Sequence, residues 1–82
     1  MSSEIERRCE WLADCIRRAQ RRLGFTRREQ MAAELGMSRS TLCHRLASPQ
    51  SMTLEELWLL EAVFRHAGMT READTIRGGF AE

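Results

Sequence analysis

Lysine and tyrosine are absent from this 82-residue chain, and proline occurs once. With no lysine, all 13 basic residues are arginine. The arginine fork meets phosphate bidentately and stacks on flat rings, so an all-Arg set either serves such contacts or reflects a GC-rich genome. The single proline, Pro49, and the sparse β-branched residues remove the usual strand signals. Ala, Leu, Glu and Arg remain to set a helical propensity. No apolar run approaches the ~20 residues that cross a bilayer, so no membrane partner is expected. The three cysteines, Cys9, Cys15 and Cys43, are odd in number and follow no secretory signal. They imply a reduced, cytoplasmic protein rather than a disulfide framework.

Formal net charge is only +1, but it is unevenly placed. Residues 1–48 hold ten Arg against six acids, and residues 49–82 three Arg against six acids. Arg17, Arg18, Arg21, Arg22, Arg27 and Arg28 cluster in a stretch, 15–28, that contains no acid. They either serve a polyanion or pair with Asp14 and Glu residues at helical spacing. The length accommodates one small domain, 1–82, whose core leaves a margin of only ~3–5 kcal/mol, so self-association would help it.

Helix punctuation is dense. Ser3 with Glu6, Thr26 with Glu29, and Thr53 with Glu56 have the spacing of capping boxes. Gly24, Gly36, Gly68 and Gly78 stand where helices would stop. Five helices are predicted, near 3–23, 27–35, 39–47, 54–67 and 71–77, an all-α bundle. Ile5, Leu12, Ile16, Ala19 and Leu23, with Cys9 close by, make one face of the first helix. Phe25 plugs the core behind Gly24. Met31 and Leu35 face inward from the second helix, and Leu42 and Leu46 from the third. The fourth buries Leu57, Leu60 and Phe64, with Leu54 and Val63 at its margins. Trp11 lies off the first stripe, and Trp58, Leu59 and Ala62 form a second apolar side on the fourth helix. Either Ile76 or Phe80 from the C-terminal region covers them, or they form a dimer surface.

Residues 26–47 read as a helix-turn-helix, a unit whose second helix can enter the DNA major groove. Gly36 supplies a left-handed turn residue. Ala32 permits close helix approach, Met37 packs beneath the turn, and Ser38 caps the next helix. With Leu42 and Leu46 inward, Ser40, Cys43 and His44 face outward, Thr41 lies beside them, and Arg39 projects from the first turn. Arg39 can bond guanine O6 and N7 bidentately, Ser40 is a tolerant contact, and His44 can donate to or accept from a base edge. Arg27 and Arg28 would add affinity through counterion release.

The segment Ala-Glu-Leu-Gly-Met-Ser-Arg-Ser-Thr-Leu-Cys-His-Arg-Leu, 33–46, resembles helix-turn-helix segments of the Fis type. The wider stretch 25–64 resembles the Cro/lambda-repressor-like family, with Pro49-Gln-Ser-Met-Thr-Leu-Glu-Glu-Leu similar to its loop and fourth helix. The resemblance implies a compact five-helix fold with Arg39, Ser40 and His44 at base-reading positions. It places Arg28 on the phosphate backbone, with Thr41 and Arg45 flanking the groove and Ser48 and Gln50 reaching backbone oxygens from the loop. Arg45 departs from the apolar residue that many members carry there, and Leu46 supplies the anchor instead.

The Cys and His spacings match no usual zinc pair, so no metal or other cofactor is expected. Cys43 and His44 diverge by ~100° on a helix and no third group orients them, so the chain is not expected to be an enzyme. The reading is a sequence-specific transcriptional regulator of double-stranded DNA. It would be a phage or mobile-element repressor that binds a palindromic operator as a homodimer in a bacterial or phage-infected cytoplasm. The alternatives are an architectural or excision factor that bends DNA, and a protein-interaction module such as an antitoxin or adaptor.

Overall fold

A computed structural model describes residues 3–79, and all of the regular structure in that range is helical. The elements are α1 (Glu4–Arg22), α2 (Arg28–Glu34), α3 (Arg39–Ala47), a single 3-10 turn (Pro49–Ser51), α4 (Leu54–His66) and α5 (Thr70–Arg77). Each helix falls within one or two residues of its predicted bounds. Phe80, one of the two residues expected to cover Trp58, lies outside the described residues.

The local chemistry of the caps explains these bounds. Ser3 Oγ accepts the Glu6 N–H at 3.1 Å. At α4 the box is reciprocal: Thr53 Oγ1 accepts from the Glu56 N–H and Glu56 Oε1 accepts from the Thr53 N–H. At α2 the expected Thr26–Glu29 box does not form. Arg27 is the N-cap, and Gln30 Oε1 accepts the N–H groups of both Thr26 (2.9 Å) and Arg27 (3.0 Å). The carboxamide one residue further along reaches both donors, which leaves the Glu29 carboxylate out of the cap.

Three helices end the same way. After α1, α2 and α4 the chain passes through a left-handed glycine, and the apolar residue that follows donates its N–H back into the last turn. These bonds run from Phe25 to Gln20, Met37 to Ala32 and Met69 to Phe64. At Gly36 φ is +68°, a conformation that a Cβ would strain. Phe25, Met37 and Met69 all return to the core, Met69 fully buried. At α5 the expected stop, Gly78, is not left-handed; Gly79 is.

All five helices feed one core, in which Phe64, Ile16, Met31, Leu35, Leu42, Leu60 and Cys15 are fully buried. Met31, Leu35, Leu42, Leu46, Leu60 and Phe64 lie inside as expected, Ala32 is buried with them, and Leu57 is half-buried. Four placements differ from expectation. Ile5 is 66% exposed, as residues 3–8 are exposed throughout and burial in α1 begins only in its later turns. Leu54 is exposed at the head of α4, whereas Val63 is buried. Trp11 is half-buried against the core rather than set apart from it.

Cys15 is the core residue that the first-helix stripe left out. Burial pushes its thiol from the ordinary 9.0 up to about 11, against the opposing pull of Arg18. A thiol with a raised native pKa supports the fold fully below 9.0, and that support is lost as the pH rises through 11. Near neutral pH, Cys9 and Cys43, both partly exposed, should therefore react with a thiol reagent in the native state. Cys15 should react only at the rate of unfolding, and mass spectrometry of the labelled peptides distinguishes the three.

Candidate nucleic-acid interface

The second helix of the motif presents two faces. Leu42 and Leu46 are buried beneath it, and Ser38 caps it, with Oγ accepting the Thr41 N–H at 3.1 Å. Arg39, Ser40 and His44 are exposed on the outside. The hydrophobic anchors therefore leave the three expected base readers outward-facing.

The N-terminus of α2 is tied to this outer surface at two points. Arg28 Nη1 approaches Cys43 Sγ at 3.6 Å, and Arg39 Nε pairs with Glu29 Oε1 at 2.6 Å. Arg28 and Arg39 are thus both held at the junction of α2 and α3, Arg28 beside Cys43 and Arg39 beside Glu29. Of the acid-free arginine cluster, Arg18 is spent on Asp14 and Glu72. Arg17, Arg21, Arg22, Arg27 and Arg28 make no ion pair among the described residues.

The other expected backbone contacts are placed differently. Thr41 is half-buried in the cap, its Oγ1 accepting from Ser38 Oγ–H at 2.9 Å. Ser48 is half-buried at the end of α3, and its carbonyl oxygen accepts from Ser51 Oγ–H and the Ser51 N–H. Gln50 is exposed, but its Oε1 accepts a 3.5 Å bond from Cys9 Sγ, which turns it toward α1.

Arg45 is the main correction. It was expected to flank the groove, yet its side chain is 19% exposed and bound from the opposite side. Nε donates to Glu56 Oε1 at 2.8 Å, Nη2 to Glu56 Oε2 at 3.4 Å, and Nη1 to Ser51 Oγ at 3.2 Å. An apolar residue at this place would simply pack; here a bidentate ion pair does the equivalent job between α3 and α4. Together with Leu42 and Leu46 it fixes the rotation of α3, on which the identity of the outward residues depends. The Arg45 fork, followed by the Thr53 N–H, holds the Glu56 carboxyl below its ordinary 4.5.

A carboxylate with a depressed native pKa contributes stability above 4.5, and that contribution is lost as the pH falls through its lower, folded value. Glu56→Gln is expected to cost about 1.5–3 kcal/mol at neutral pH, the range for hydrogen bonds to charged groups. The gap from wild type should close in acid. Urea melts of both proteins across that pH range measure it, and a gap that persists in acid would show that the charge plays no part.

Sequence reasoning missed Glu29 as a partner of Arg39, because ten positions along the chain fit no helical repeat. It also missed the Arg45–Glu56 pair, which joins two helices across a turn.

A helix pair with a tight glycine turn, a buried-Leu anchor and an arginine-bearing outer face defines a helix-turn-helix DNA-binding domain. Residues 14–62, more than half of the chain, match the family model of the bacteriophage CI repressor helix-turn-helix domain, and the chain belongs to that family. No curated protein and no solved structure matches it. The protein is accordingly a DNA-binding transcriptional regulator, and no helix among the described residues is long and apolar enough to cross a membrane.

Proposed function

We propose that the protein is a sequence-specific repressor, of phage or mobile-element origin, that binds a palindromic operator as a homodimer. The observation that carries this reading is the outward set on α3: Arg39, Ser40 and His44 are exposed while Leu42 and Leu46 hold the opposite side. Arg39 reads a guanine, Ser40 and His44 contact neighbouring base edges, and Arg27 and Arg28 hold phosphates beside them. Thr41 and Ser48 supply secondary backbone contacts. Arg45 is left out of the set because Glu56 and Ser51 occupy it, and Gln50 because it bonds to Cys9.

Two such domains would place their recognition helices one DNA turn, about 34 Å, apart. The domain measures 32 × 25 × 22 Å, a size that lets two copies lie side by side at that spacing. Of the four large apolar residues exposed among the described residues, three lie on α4: Leu54, Trp58 and Leu59. Trp58 is 65% exposed, and Ala62 continues the stripe one turn further along. This stripe is the proposed contact between copies.

In vitro selection on random duplexes tests the reading: a palindrome is expected, and no enrichment at low salt would reject it. Sedimentation of wild type and Trp58→Glu tests the dimer, which the variant should lose. A wild-type chain that stays monomeric would instead give the stripe to a different protein, as an interaction module would require. Arg28→Ala should weaken binding evenly across sequences and reduce the slope of log affinity against log salt by about one, measurable in a salt titration.

A further inference from the structure

Glu29 is an acid inside an otherwise basic junction. Its neighbours in sequence and space are Arg27, Arg28 and Arg39. A carboxylate there opposes the approach of phosphate, so general affinity for DNA does not account for it. Nor does capping, because Gln30 takes both N–H groups at the start of α2. What Glu29 does pair with is Arg39, in an ion pair whose Nε lies 2.6 Å from Oε1. The edge formed by Nη1 and Nη2 can meet O6 and N7 of guanine together. Both side chains are more than half exposed, so the pair contributes little to folding.

We infer that Glu29 is a positioning residue for base reading: it holds Arg39 by Nε so that the Nη1–Nη2 edge is presented to a guanine, and it penalises DNA that lacks one. This rests on the assignment of Arg39 as a base reader. An arginine free to swing could satisfy itself on any phosphate, which raises affinity for every sequence. An arginine held at its neck gives up that option and loses less freedom when the right base arrives. Glu29 thereby acts on specificity in two ways, by orienting the reader and by repelling the backbone of a non-cognate duplex.

The test compares binding to the selected operator, to the same operator with the guanine facing Arg39 replaced, and to random duplex. The proteins are wild type, Glu29→Gln, Glu29→Asp, Arg39→Ala and the Glu29→Gln/Arg39→Ala double variant. Glu29→Gln is expected to bind random duplex several-fold more tightly and to lose about tenfold in the ratio of operator to guanine-replaced binding, part of what a bidentate pair provides. Glu29→Asp keeps the charge but is one methylene shorter. It should retain weak binding to random duplex while losing discrimination as Gln does, which separates orientation from charge. In the Arg39→Ala background Glu29→Gln should leave the ratio unchanged. In the free protein, relaxation of the Arg39 Nε–H signal should show increased motion in Glu29→Gln.

A ratio unaffected by Glu29→Gln, or changed equally with and without Arg39, overturns the inference while leaving Arg39 as reader. An Arg39→Ala protein that discriminates as wild type does overturns the base-reading assignment itself, and the inference with it.

Discussion

Leu42→Ala is expected to remove both the folded state and DNA binding. Leu42 is fully buried at the centre of α3, within a core drawn from all five helices. Truncating a buried leucine costs about 2–5 kcal/mol, the lost transfer energy plus the cavity left behind. A domain this small holds a margin of only ~3–5 kcal/mol, so one such substitution removes most or all of it. Denaturant melts should show the midpoint collapse, and binding to operator and to random DNA should fall together. A variant that melts near wild type would mean that the core closes around the gap.

Arg39→Ala is expected to do the reverse. Its side chain is 63% exposed and its ion pair with Glu29 is at the surface, so the melting midpoint should hardly move. Operator affinity should fall by roughly 10–100-fold, corresponding to about 1–3 kcal/mol for a bidentate arginine–guanine contact. Affinity for random duplex should fall only slightly, as one phosphate-neutralising charge is lost. Competition binding with operator and random DNA measures the two losses side by side. Equal losses on both would reduce Arg39 to a backbone contact. The two substitutions lie three residues apart on one helix, and their opposite signatures separate the side that holds the helix from the side that reads.

Much of this was legible in the sequence because the signals are local. A cap is set by residues three apart, as with Ser3 and Glu6 or Thr53 and Glu56. The turn at Gly36 is announced by the glycine and by Met37 behind it. The inward positions of α3 follow from the spacing of Leu42 and Leu46. The rest depended on partners that spacing does not reveal. Cys15 sits beside Ile16 on a face of α1 broader than a single stripe, and only the packing of neighbouring helices shows that the face is covered. Gln30 and Glu29 are equally able to cap α2, and the reach of one extra residue decided between them. Arg45 looked like a surface cation in a basic half, but its partner, Glu56, lies across the 3-10 turn in the acidic half. Part of the charge asymmetry between residues 1–48 and 49–82 is thus a bond between the two stretches.

The Arg45–Glu56 clamp separates orientation from recognition. The residues that fix how α3 is turned are Leu42, Leu46, Arg45 and Glu56, and none of them belongs to the outward set. Arg39, Ser40 and His44 can therefore be exchanged with little effect on the scaffold. On the proposed reading, a lineage carrying this domain could move to a new operator by changes at three exposed positions, with Glu29 adjusted to suit the new reader. The same separation makes the domain a convenient frame for grafting altered reading helices.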